Sequence, residues 1–144
     1  MRGGAGYSYT RITANDPPRP LLKAHLRVGI STTTEDVLCL VDSGADRNIF
    51  PMDFAARLNL TLDTKRVWPF YGTTGRLQRG YLHSVNLAIY DNEDAKVLFD
   101  FSTEVAFCED FKFTLGPLLG QTGFFSHFKV FIDQRNGSFR IKEH

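Results

Sequence analysis

From Leu22 onward, apolar Leu22, Ala24, Leu26, Val28 and Ile30 alternate with Lys23, His25, Arg27 and Gly29. This two-residue period predicts a half-buried strand with His25 turned to solvent. A polar Ser31-Thr32-Thr33-Thr34 turn leads into residues 35–41, whose nearly continuous apolar run predicts a strand buried on both faces. Pro51 is placed to begin a short helix with Phe54, Ala55 and Leu58 on its apolar face and Asn59 near its end. Residues 65–70 and 80–90 read as strands flanking a glycine-tipped hairpin, and Pro69, which has no N–H to give, assigns the first of them to an edge or a bulge. The charged turn Asp91-Asn92-Glu93-Asp94 opens a strand over 96–104, residues 105–113 follow neither period, and Gly116-Pro117 interrupts the chain. A terminal hairpin joins 129–132 to 138–142 through Asn136-Gly137. Strands with one or two short helices give an all-β class.

Composition adds boundaries to this pattern. Residues 1–20 are rich in Gly, Arg and Pro, and Asp16-Pro17-Pro18-Arg19-Pro20 reads as a linker, so a flexible arm over 1–20 is expected ahead of one folded domain over 21–144. A chain of 144 residues suffices for one core but is short for a two-lobed architecture. The net charge of +1 argues against a dominating nucleic-acid or anionic-membrane footprint, and Arg2, Arg11, Arg19, Lys23 and Arg27 read as a solvated basic segment. No apolar run approaches the roughly 20 residues that span a bilayer. Met1-Arg2-Gly3-Gly4 is not followed by a signal-peptide core. The expectation is therefore a soluble, cytoplasmic protein with neither nucleic acid nor membrane as partner. Cys39 and Cys108 sit among apolar neighbours and read as small core residues in a reducing compartment. His83 and His127 lack metal-ligand spacing to either cysteine, so neither metal nor cofactor is expected.

The chemistry concentrates in Cys39-Leu40-Val41-Asp42-Ser43-Gly44-Ala45-Asp46, where an apolar strand runs straight into a carboxylate and a turn. A lone buried charge costs several kcal/mol, so Asp42 needs hydrogen bonds, a partner that shares its proton, or a chemical role. Gly44 permits a sharp turn with N–H groups facing the carboxylate, and small Ser43 and Ala45 leave space for another chain. Taken alone, Asp-Ser-Gly is equally an ordinary turn tripeptide.

The flanks carry the argument further. Apolar Val37 to Val41 before Asp42, Ile49-Phe50-Pro51 after it, and Leu118-Leu119-Gly120 with Phe124, Phe125 and Phe128 downstream resemble, in order, the motifs of the retropepsin-like aspartic proteases. Tyr71-Gly72-Thr73-Thr74-Gly75 falls where that family carries its flap hairpin. The resemblance spans roughly Pro20 to Lys142. It implies a closed barrel of the acid-protease type and, because only one Asp-Ser-Gly is present, a homodimer in which each chain supplies one carboxylate. It further implies a catalytic Asp42, loop support from Ser43 and Gly44, and contacts to a peptide or protein substrate from Gly44, Ala45, Asp46, Gly72, Thr73, Thr74 and Gly75. Ser138 to Lys142 would contribute to the interface. The chain departs from the pattern at Gln121, where retropepsins commonly carry an arginine paired with the Asp46 equivalent, and Arg19 is a candidate replacement. The rival expectation is a non-catalytic dimerising or peptide-binding module on the same fold.

Overall fold

The computed structural model describes residues 4–32, 36–71, 75–109 and 116–144. The alternating segment forms β2 (Leu21–Val28), which follows β1 (Gly4–Ser8) and turns back into β3 (Ser31–Thr32). Then come β4 (Val37–Val41), β5 (Ile49–Pro51), the helix α1 (Met52–Arg57), β6 (Val67–Tyr71), β7 (Leu77–Tyr90) and β8 (Val97–Cys108). The chain closes with β9 (Leu118–Leu119), β10 (Phe128–Asp133) and β11 (Ser138–Glu143). Strands β2, β4, β9, β5, β8 and β7 are neighbours in that order, and a β2–β7 pairing returns the sheet to its start. The result is a closed six-stranded barrel. Closure leaves the apolar face of β2 nowhere but inside: Leu22, Ala24 and Leu26 are fully buried against Leu87, Ile89 and Phe107.

Two parallel pairings set the site. β4 runs beside β9, with Leu40 opposite Leu118 and Val41 opposite Leu119, and β5 runs beside β8, with Phe50 opposite Phe107. Residues 105–108 followed no period because they are buried on both faces between β5 and β7, which removes the alternation that a half-exposed strand shows. Pro69 lies on β6, the edge strand beside β7, as its missing donor requires. Helix α1 lays Phe54 edge-on to Phe50 at 5.4 Å, and past its C-cap Leu58 the chain turns away through Asn59, whose φ is 56°. His25 is not simply solvated: its ring approaches the Tyr90 hydroxyl at 3.3 Å and the Asp36 carboxylate at 3.6 Å.

The amino-terminal segment differs from expectation. Residues 4–8 are not a flexible arm but pair with β11, and β10 completes a separate sheet of order β1-β11-β10. The composition suggested a linker, but Tyr7 has a large surface to bury. It is 6% exposed, stacks on Phe139 at 5.2 Å, and donates its hydroxyl to the Tyr90 carbonyl at 2.8 Å, tying this sheet to the barrel. Consequently β11, the expected dimer strand, is occupied on both edges within its own chain. A second helix is absent after Gly120; residues 121–127 form successive turns instead. Cys39 and Cys108 are buried free thiols. Among the described residues, no helix is long and apolar enough to cross a membrane.

Candidate active site

Asp42 is the first residue past β4, and its backbone continues the parallel ladder by donating N–H to the Leu119 carbonyl at 3.0 Å. The chain then reverses. Ala45 N–H returns to the Asp42 carbonyl at 3.1 Å, and Gly44 N–H donates to Asp42 Oδ1 at 2.9 Å. A side chain on Gly44 would approach that same Oδ1 to 3.2 Å, so the small residue keeps the turn tight around the carboxylate. Among the described residues Asp42 Oδ2 accepts no hydrogen bond. Asp42 is therefore half-buried, anchored through one oxygen and open at the other.

A second loop braces the first. Gln121 N–H donates to the Ala45 carbonyl at 2.8 Å and Thr122 N–H to the Asp46 carbonyl at 2.9 Å, while the Gln121 side-chain amide donates to the Ser43 carbonyl at 2.8 Å. Gly123 between them and β10 sits at φ 108°, outside the helical region, which breaks residues 121–127 into turns. Gly120 is pressed against the carbonyl oxygens of Ala45 and Arg47, so any side chain at that position would collide with backbone.

Asn48 organises this contact, and no motif announced it. It is fully buried. Its Oδ1 accepts from Gly120 N–H at 3.1 Å, and its Nδ2 donates to the Glu104 carbonyl at 3.2 Å and to Thr103 Oγ1 at 3.4 Å. Thr103 Oγ1 in turn donates to the Gly123 carbonyl at 2.6 Å. The asparagine thus links the Asp42 loop, the Gly120 loop and β8 with every polar arm in use. Its only sequence signal is a polar residue directly ahead of the apolar Ile49-Phe50. Beside it, Arg47 pairs with Glu104 at 3.1 Å, Arg66 also bonds Glu104, and the Arg47 guanidinium lies 5.6 Å from the centre of the Trp68 ring.

Asp42, Gly44, Ala45 and Asp46 open onto a cleft of about 470 Å³ whose other walls are Ile49, Leu118 and the β6 residues Trp68, Pro69, Phe70 and Tyr71. Trp68 and Phe70 stack at 4.4 Å. A concave site whose walls combine apolar side chains with a few convergent polar groups has the form of a binding site. Ser43 is exposed at the turn and Ala45 is buried beneath it. Asp46 is exposed at the cleft and forms no ion pair with Arg19 among the described residues, so neither Arg19 nor Gln121 supplies the charge of the usual arginine. Of the hairpin assigned to substrate contact, Gly75 is exposed at φ 74°, and Gly72, Thr73 and Thr74 lie outside the described residues.

No protein-family model matches the chain, and no curated protein matches it. Among solved structures, the chain is similar to the crystal structure of a retropepsin-like aspartic protease from Rickettsia conorii, at 14% identity with a TM-score of 0.52 over 98% of this chain and 91% of that one. At that identity the likeness concerns architecture, and it is nearly end to end. The barrel, its paired loops and the Asp42 turn thus belong to a retropepsin-like fold.

Proposed function

We propose that this chain is an aspartic endopeptidase that acts as a homodimer, with one Asp42 from each chain hydrolysing a peptide bond. The observation that carries the reading is the Asp42 carboxyl at the mouth of the cleft, held through Oδ1 by Gly44 N–H and open at Oδ2. One such carboxyl per chain cannot act as both general acid and general base at the same moment. Two brought together about a symmetry axis can, because carboxylates a few ångströms apart cannot both ionise easily and share one proton. One Asp42 then takes a proton from water while its mate, protonated, hydrogen-bonds the scissile carbonyl; the proton later passes to the leaving amine. Trp68 and Phe70 would seat an apolar substrate side chain, and the backbone around Gly44 and Asp46 would hold the substrate main chain.

The test is cleavage of a peptide library by wild type and Asp42→Asn at matched, folded concentrations. Wild type is expected to be most active on the acidic side of neutrality, where the pair holds one proton, and to lose activity as that proton leaves. Asp42→Asn should lose at least about 10²-fold, the scale of a general acid–base contribution, with its circular dichroism unchanged. Peptides bound by wild type without cleavage would replace this reading with a non-catalytic peptide-binding module. Equal turnover by the two proteins would remove Asp42 from the chemistry.

A further inference from the structure

Trp68 and Phe70 project from the same face of β6 with their rings stacked at 4.4 Å and 12° from parallel, a flat π surface on one wall of the cleft. The sheet holds that wall from one side. Among the described residues β6 pairs only with β7, and Pro69 gives the ladder no N–H. Beneath the indole lies Gly80, the ladder partner of Trp68, where a side chain would come within 2.8 Å of Ala106 Cβ and 3.4 Å of Trp68 Cε3. This glycine lets the ring approach the barrel but does not set its distance from the Asp42 loop.

That spacing falls to one carboxylate. Glu104, on β8 and outside the cleft walls, accepts from Arg47 through Oε1 at 3.1 Å and from Arg66 through Oε2. Arg47 directly follows Asp46 in the Asp42 loop and is bridged to Thr122, while Arg66 directly precedes β6 and its carbonyl accepts from Leu82 N–H at 3.0 Å. Glu104 therefore joins the base of one wall to the base of the other. The same bond places the Arg47 guanidinium 5.6 Å from the centre of the Trp68 ring, within reach of a cation–π contact. An ionised carboxyl offers each guanidinium an acceptor oxygen and offsets their mutual repulsion. Glutamine keeps one acceptor and turns an NH2 group toward the other guanidinium.

We propose that Glu104 is a positioning residue that sets the preference of the cleft for aromatic over small side chains, acting through Arg47 and Arg66 to hold Trp68 against the Asp42 loop. Stacking depends on ring geometry as well as on area, so an aromatic occupant senses where the Trp68–Phe70 surface stands and a methyl group does not. Because Glu104 does not line the cleft, its substitution changes binding and leaves the chemical step alone. The choice of a peptide as occupant rests on the proposed function; the placement of Trp68 does not.

The test compares wild type, Glu104→Gln, Arg66→Met, Trp68→Leu and Glu104→Gln/Trp68→Leu on a peptide series carrying Phe or Ala at each position in turn, with kcat and KM measured for each peptide. Acrylamide quenching of Trp68, the single tryptophan, is measured without peptide. In Glu104→Gln, KM for peptides whose Phe the wild type favours should rise about two- to fivefold, the scale of one exposed cation–π contact. Their kcat and the alanine peptides should be unchanged, the pattern of a lost binding interaction, and quenching should increase. Arg66→Met, at the more exposed end of the clamp, should move the same quantities in the same direction and serves if Glu104→Gln folds poorly. Added to Trp68→Leu, Glu104→Gln should change nothing further, because the carboxylate acts through the ring. A wild type indifferent to Phe at every position, equal losses on Phe and Ala peptides, or a Glu104→Gln effect that persists in full without Trp68 overturns the inference. Unchanged quenching in both Glu104→Gln and Arg66→Met overturns it whatever the peptides show. Peptides bound but not cleaved, with the same pattern in calorimetric Kd, uphold it while the enzymatic reading fails. Peptides neither bound nor cleaved by wild type overturn the proposed function and the selectivity together.

Discussion

Replacing Asn48 should cost more than its size suggests. Asn48→Ala leaves the buried Gly120 N–H without an acceptor, takes one of the hydrogen bonds of the Glu104 carbonyl, and opens a small cavity between the Asp42 and Gly120 loops. An orphaned buried donor alone costs about 1–3 kcal/mol. With the lost Glu104 bond and the cavity, the total is about 3 kcal/mol, a large share of the 5–15 kcal/mol typical of a domain. For a chain of this length that corresponds to a fall in Tm of about 10 °C. The assay is urea unfolding followed by tryptophan fluorescence, since Trp68, the single tryptophan, lies in the cleft wall. Asn48→Leu distinguishes the causes. It restores much of the volume but no hydrogen bond, so it should be destabilised nearly as much as the alanine variant. A leucine variant within about 0.5 kcal/mol of wild type, inside the usual range of innocuous substitutions, would refute the argument that polar bracing holds the loops together.

Gly120→Ala should destabilise by about 1–3 kcal/mol, the usual range for overpacking, because its methyl group would collide with the Ala45 and Arg47 carbonyls rather than with a movable side chain; an unchanged midpoint in the same urea titration counts against that. Tyr7 gives a pH signature. Burial, then the charges of Asp91 and Asp94, raise its pKa well above the ordinary tyrosine value of 10.0, so its contribution is complete below that value and is lost as pH rises from there towards the folded-state pKa. Melting curves above pH ~10 should therefore fall more steeply for wild type than for Tyr7→Phe; parallel curves would dissociate the alkaline loss from Tyr7.

How much of this was legible in the chain depended on whether the determining contacts were local. Asp42 to Asp46 are contiguous, so their turn and the space beside it could be read directly, as could the alternation of β2 and the edge position implied by Pro69. Barrel closure came only through the family resemblance and from no local pattern, because the pairing of Ala24 with Ile89 joins residues that no local period relates. Residues 4–8 were misread for a similar reason: Gly, Arg and Pro dominate the segment, while the surface that buries Tyr7 is supplied by Phe139 at the other end of the chain. Asn48 was invisible because a single asparagine before a strand looks like a turn residue until its three partners, Gly120 from one segment and Thr103 and Glu104 from β8, are brought to it by the fold.

The substitution at Gln121 shows how the loops stay braced without an ion pair. An arginine at that position would carry a charge into the space beside Asp46. The neutral amide instead turns to the Ser43 carbonyl, and the backbone N–H groups of Gln121 and Thr122 take the carbonyls of Ala45 and Asp46. Three hydrogen bonds therefore span the two loops with no charged donor, and the Asp46 carboxylate is left at the cleft rather than neutralised. Exposed ion pairs contribute only about 0–1 kcal/mol, so little stability need be lost by the exchange. What changes is the field at the cleft, which gains an uncompensated negative charge within the same wall as Asp42.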